Sequence, residues 1–289
     1  MHNKTRESST QANLFVLIGL SMMTILLIWN ATIRVDNFAT RQTALAEHSV
    51  HAAADSVALL LEGYRRAVRI FADDNQAFIS SVAVWPQDAG LHAILEERIT
   101  TYFPEYFTFT LADKSGKTLL EGFEGLVGPR CRNDIEEYAA SDSDHLTYMH
   151  QGRPGTTPHF DIMAHSGGKE SDGNIFFISY RTDTLKRTLV NTGVADHRIY
   201  LLRRDDPGLI ELAITGNDNT PSGNERLTAD EMQRISFSAP VPGTLWDVAI
   251  LPNKSLYADA YSAILVQSLI IFIGFVIISI IMRMLLLNE

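Results

Sequence analysis

Two uncharged apolar runs bracket a chain whose interior alternates between helical and strand periods. Leu14–Ile28 reads LFVLIGLSMMTILLI with Trp29 as an interfacial anchor, and with its flanks from Ala12 to Ile33 it spans the ~30 Å of a bilayer's hydrocarbon. Ala263–Met282 reads AILVQSLIIFIGFVIISIIM, about the 20 residues a spanning helix needs. A cleaved signal peptide is the rival reading of the first run, since Lys4 and Arg6 precede it. The next small-x-small site, Ala44-Leu45-Ala46, lies far beyond. Lys4, Arg6 and Arg283 flank the runs on the side that faces the cytoplasm, so both termini are expected inside and residues 34–262 outside.

Between the runs, Ala54, Val57, Leu61, Tyr64, Val68, Phe71, Asn75, Phe78 and Val82 recur at spacings of three and four, which predicts one long helix continuing the first span to Val82. Arg65 falls off that seam, and Asn75 within it is expected either to fix register with a second chain or to be solvated. Pro86 stops the helix and a shorter one follows over Asp88–Thr101. The period then changes. Tyr106-Phe-Thr-Phe-Thr-Leu-Ala112 reads as a strand, Asp113-Lys-Ser-Gly116 as its turn and Lys117–Glu121 as the returning strand. Helix Asn133–Ala140 leads to strands His145–Met149, His159–His165 and Asn174–Tyr180. After helix Thr184–Asn191 the hairpin pattern repeats over Arg198–Arg203 and Leu209–Thr215. Asn217–Asn224 reads as a loop, helix Thr228–Ile235 opens on a capping box of Thr228 and Glu231, and strands Phe237–Val241 and Trp246–Leu251 follow.

Composition sharpens this picture in two ways. The net charge is −10, and excluding the five charged terminal residues leaves 21 basic against 32 acidic, which argues against a nucleic-acid partner. One cysteine, Cys131, excludes an intramolecular disulfide, so packing must hold the outer region together.

A membrane helix, a long amphipathic helix, the hairpin beginning Tyr106-Phe-Thr-Phe-Thr-Leu-Ala-Asp-Lys-Ser-Gly-Lys117, later strands entered through Pro242-Gly-Thr-Leu-Trp246 and a second membrane helix resemble the bacterial Cache, or PDC, sensor family in its double form. The resemblance implies an α+β fold: a long membrane-rooted helix carrying PAS-like antiparallel sheet modules, flanked by two transmembrane helices. The expected division is a cytoplasmic N-terminus (1–12), a first span (13–33), a stalk helix (34–85), a membrane-distal module (86–182), a smaller proximal module (183–252), a hinge (253–262) and a second span (263–287). It also implies a small-molecule ligand, a homodimer along the stalk, a bacterial inner-membrane location and a cytoplasmic output such as a diguanylate cyclase, histidine kinase or chemoreceptor. Any such enzymatic output would lie beyond Glu289, and this chain is expected to be no enzyme. The alternative is a tethered envelope assembly protein with no small-molecule ligand.

For chemistry, no Walker loop, dinucleotide fingerprint, zinc-protease helix or nucleophile elbow occurs in the outer region, so neither a catalytic residue nor a cofactor is expected. His145, His150, His159 and His165 with Asp161 lack a recognised ligand spacing, and no metal is assigned to them. The expected ligand-binding residues are polar groups on strands that otherwise read as buried: His159 and Asp161 on one strand, Tyr180 and Arg181 on its neighbour, with Tyr148 and Phe107 as walls. Arg181 suits a carboxylate bidentately and Asp161 an amine, and an internal ion pair is the competing reading. Arg132 and Asp134, beside Arg130 and Cys131, are expected to precede a helix whose N-terminus can hold an anion. Cys131 between two arginines is either a reactive thiol or a buried inert one.

Overall fold

The computed structural model describes residues 2–120, 128–141, 147–150, 157–168, 173–214 and 225–288. In chain order the elements are α1 (His2–Asp74), α2 (Gln76–Val84), α3 (Ala89–Tyr102), β1 (Tyr106–Ala112), α4 (Pro129–Ala140), β2 (Tyr148–His150), β3 (His159–His165), β4 (Ile175–Arg181), α5 (Asp183–Asn191), β5 (His197–Arg203), β6 (Ile210–Ile214), α6 (Ala229–Gln233), β7 (Phe237–Pro240), β8 (Trp246–Pro252) and α7 (Ser255–Asn288). The chain divides into two compact units, one of residues 46–252 and one of residues 1–45 with 253–289. In the latter, the two helical segments are long and apolar enough to cross a membrane, and Leu14, Phe15, Leu17, Ile270 and Ile273 among others expose their side chains. Phe38 and Tyr257 meet edge to face there, their ring centroids 6.0 Å apart.

The larger unit holds two four-stranded antiparallel sheets, ordered β1-β4-β3-β2 and β6-β5-β8-β7. One apolar core serves both. The α1 positions Ala54, Val57, Leu61, Val68 and Phe71 are buried against Phe109, Phe160, Ile162, Phe176 and Ile178 of the first sheet and Ile199, Leu201, Trp246, Val248 and Ile250 of the second, in one continuous cluster. The predicted seam is therefore filled by the chain's own sheets. Because strand side chains alternate, the opposite face of the first sheet is covered separately: Cys131, Ile135 and Tyr138 of α4 pack on Ala112, Met163, Ile175 and Phe177.

Several boundaries differ from the sequence expectation, each for a local reason. The long helix breaks at Asn75, whose side chain donates to the Phe71 carbonyl and accepts from Arg98 Nη1 at 2.6 Å, and which stands at the N-cap position of α2. Arg65 is buried (5% exposed), where the seam left it in solvent. It donates to Thr147 Oγ1 at 2.6 Å and to the Gly243 carbonyl at 2.8 Å, so its polar head is satisfied in the interior. After β1 the chain turns as expected, with Gly116 at φ +88, but it returns through a single bridge from Thr118 to Ala112 rather than a strand. Helix α4 begins at Pro129, four residues early, so Cys131, Arg132 and Asp134 lie within its first turns and not before it. The strand expected from His145 is described only as β2, because residues 142–146 lie outside the described residues, as does the loop Asn217–Asn224. The capping box forms as read: Thr228 Oγ1 accepts from Glu231 N, and the Glu231 carboxylate accepts from Thr228 N.

Candidate functional site

Two polar loci lie on the first sheet. Phe107 adjoins the second of them and also meets Arg181 of the first. The first is a cleft of about 330 Å³ lined by Tyr64 of α1, the segment Pro104–Tyr106, Tyr180 and Arg181 at the end of β4, and Asp183, Thr184 and Arg187 of α5. It thus touches the long helix, the first sheet and the helix that leads to the second sheet. Tyr180 lies against Tyr64 with the rings tilted by 38° and their centroids 4.3 Å apart, and its buried hydroxyl finds no hydrogen-bond partner among the described residues. Burial raises the pKa of both phenols, so they stay neutral donors. Opposite them Thr184 Oγ1 donates to Glu105 at 3.0 Å and accepts from Arg187 at 2.9 Å, leaving a mixed rim of two arginines and two carboxylates.

The second locus lies between the sheet and α4. Strand alternation turns His159 and Asp161 to the α4 face, and the β2–β3 register sets His150 directly opposite His159. On α4, Cys131 and Asp134 are three residues apart and share the face that meets them. His150 Nε2 is 2.8 Å from Asp161 Oδ2 and equally 2.8 Å from Asp134 Oδ2. Cys131 Sγ is 3.6 Å from His159 Nε2, and Ser179 Oγ donates to Asp161 Oδ1 at 2.5 Å. His159 Nδ1 donates to the Thr157 carbonyl at 2.8 Å, which turns Nε2 into the cluster.

Burial works against charge on His150, His159 and Cys131, and their partners outweigh it. Despite desolvation, hydrogen bonds to Asp134 and Asp161 push His150 up to about 12, and the thiol of Cys131 with the charge of Asp161 raises His159. Burial would raise the Cys131 thiol, yet contacts with both imidazoles hold it below its ordinary value. The locus is an interior set of acidic and basic groups with unusually tight proton sharing.

Of the eight expected ligand-binding residues, the fold gathers His159, Asp161 and Asp134 into this cluster. Phe107 lies against the His159 ring, centroids 5.2 Å apart, and the Arg181 guanidinium sits 5.9 Å from the centre of the same Phe107 ring. Tyr180 lies on the other face of the sheet, in the cleft, so the expected single pocket is divided in two. Arg132 is exposed on α4 and joins neither locus. For Tyr148 the backbone pairing with Asp161 is what is described. Sequence reasoning missed Ser179, weighed His150 only in a histidine set to which it assigned no metal, and left Cys131 between a reactive and a buried reading, of which the structure shows the buried one. The available signals were Pro129 at a helix start, which sets the phase of α4, and the i, i+2 spacing of His159 and Asp161, which puts both on one face.

By sequence the chain matches no family model and no curated protein. By structure it is similar to the sensor domain of the V. cholerae histidine kinase DctB, with TM-score 0.51 and 11% identity over 74% of this chain and 99% of that one. It is similar also to the ligand-binding domain of the Pseudomonas fluorescens chemoreceptor CtaA in complex with L-valine, with TM-score 0.50 and 15% identity over 74% of this chain and 99% of that one. With a long helix flooring two antiparallel sheets in chain order, the chain has the fold of Cache sensor domains.

Proposed function

We propose that this protein is a membrane-anchored sensor whose apolar segments in α1 and α7 cross the bacterial inner membrane, holding residues 34–262 outside, and whose cleft beside Tyr180 binds a small carboxylate-bearing molecule. The observation that carries the reading is the orphaned Tyr180 hydroxyl, since an unmet buried donor costs ~1–3 kcal/mol and a ligand acceptor would satisfy it. Arg181 and Arg187 at the rim suit a carboxylate, and Glu105 and Asp183 suit an amine or hydroxyl on the same molecule. The similar sensor domains named above lend the sensor role its support.

In this reading residues 86–182 form the membrane-distal module and 183–252 the proximal one, and the cleft opens where the two meet. A ligand there contacts α1, β4 and α5 together. It favours the arrangement in which those elements fit it, and the population shift travels through the backbone of α1 and of α7 in a homodimer to a cytoplasmic output. Thermal denaturation of the purified chain against pools of small organic acids tests it. At least one pool is expected to raise the midpoint, by the mass-action stabilisation of any native-state ligand. Arg181→Ala and Tyr180→Phe are expected to weaken that ligand roughly tenfold, the worth of one to two hydrogen bonds. A pool that stabilises both variants as well as the parent places the ligand elsewhere, and no stabilisation by any pool removes the proposal.

A further inference from the structure

The cluster between α4 and the first sheet has more acceptors than protons. His150 Nε2 carries at most one hydrogen, yet Asp161 Oδ2 and Asp134 Oδ2 both lie 2.8 Å from it, so whenever Asp161 takes that hydrogen the buried Asp134 Oδ2 has none left to accept among the described residues. Four further features converge at one point: the thiol sulfur of Cys131, Nε2 of His150, a ring nitrogen of His159 and a carboxylate oxygen of Asp161 all lie within 4.8 Å of one another, and all four residues are buried. The outer hydrogen bonds are those a ligand set needs. His159 Nδ1 is occupied by the Thr157 carbonyl, so Nε2 offers its lone pair inward, and Ser179 holds Asp161 Oδ1, so Oδ2, which meets His150 Nε2, is the oxygen turned into the cluster.

Spacing distinguishes a metal site from a tangle of ion pairs. In a tetrahedral zinc site, Zn–S of ~2.3 Å and Zn–N of ~2.05 Å set the sulfur-to-nitrogen edge at about 3.6 Å and the nitrogen-to-oxygen edges at about 3.3 Å. The Cys131 Sγ to His159 Nε2 distance is 3.6 Å. His150 Nε2 lies 2.8 Å from Asp161 Oδ2, about half an ångström inside the second value, and His159 Nε2 lies 3.9 Å from Oδ1 of the same carboxylate.

We propose that Cys131, His150, His159 and Asp161 bind a zinc-class divalent ion that ties α4 to β2 and β3, independently of the ligand in the Tyr180 cleft. One thiolate, two imidazoles and one carboxylate select zinc, cobalt, nickel or copper over magnesium and calcium, which prefer all-oxygen shells. On binding, the ion replaces the thiol proton and the proton shared by His150 and Asp161, both released to solvent. Asp134 then supplies an oxygen within reach of a fifth position. With four protein ligands the site is closed, so the ion acts as a cross-link rather than as a catalyst with an open position.

Because the chain has a single cysteine, a thiolate-to-cobalt charge-transfer band reports on this site alone. The full-length protein in detergent, stripped with a chelator, is titrated with Co²⁺ and then with Zn²⁺. The expected result is one Co²⁺ per chain with that near-ultraviolet band and intense tetrahedral visible absorption, both lost as Zn²⁺ displaces cobalt. Competition should show Zn²⁺ bound at least tenfold more weakly in Cys131→Ser and His159→Gln, each checked for an unchanged metal-free melting midpoint. A wild-type chain that gives no band overturns the proposal without recourse to a variant. Equal Zn²⁺ affinity in wild type and in a folded Cys131→Ser overturns it as well.

Discussion

Arg65 shows how much one side chain can hold. From the C-terminal part of α1 it reaches Thr147, at the start of the first sheet's edge strand, and the Gly243 carbonyl in the turn between β7 and β8. Burial lowers its pKa without approaching neutrality. Gly243 adopts φ +70, and a Cβ there would stand 3.1 Å from Arg65 Nη1, so the turn is shaped to admit the guanidinium. Arg65→Met keeps the stem and removes the donors. It is expected to cost about 2–3 kcal/mol and to lower the melting midpoint roughly 5–10 °C, and an unchanged midpoint would show those bonds to be idle. At this scale the sequence is least legible. The helical seam predicted Ala54, Val57, Leu61 and Val68 as buried, but Arg65 breaks the pattern because two partners distant in the chain repay its desolvation. His150 was unreadable for the same reason: its meaning depends on a cross-strand register no local spacing announces.

Elements were more legible where chemistry is local. The Asp113 turn after β1 holds itself, its carboxylate accepting from Ser115 N at 2.8 Å, Ser115 Oγ at 2.6 Å and Lys117 N at 3.1 Å. Slight burial opposes the charge, and these bonds nevertheless hold the carboxyl below its ordinary pKa. The unfolded chain therefore takes up the proton first as the pH falls. The contribution of Asp113 is complete above about pH 4 and vanishes once the pH drops beneath the folded-state value. Asp113→Ala should lower stability by about 1 kcal/mol at pH 7, and the difference should shrink as the pH falls below about 4, as followed by urea denaturation at neutral and acid pH. A gap that persists in acid would assign the effect to backbone propensity instead. The β4 run, IFFISYR, announced itself as a nearly continuous apolar stretch, whereas β3, buried as fully, carries His159, Asp161 and His165 among its apolar residues. The start of α4 did not, because Pro129 follows residues without helical pattern and its role as a first helical residue shows only once the helix is known.

At the scale of the whole larger unit, one cluster of apolar side chains runs from the first sheet through α1 to the second. Residues 46–252 should accordingly unfold in one calorimetric transition, with a van't Hoff enthalpy equal to the calorimetric one. Two resolved transitions would mean that the sheets hold independently. The doubling of the hairpin pattern along the chain had suggested two modules; the chain forms two four-stranded sheets, the first without the expected returning strand. Their shared floor was not legible, since periodicity tells which helix face is apolar but not how many partners divide it.

Val57 and Leu61 belong to the same packed layer as Phe160 on one side and Trp246 on the other. Cutting and pasting at residue 182 would therefore leave the inherited helix facing a foreign sheet. Chimeras must carry their stretch of α1 with them, and a library built by swapping sheets alone should yield mostly aggregates.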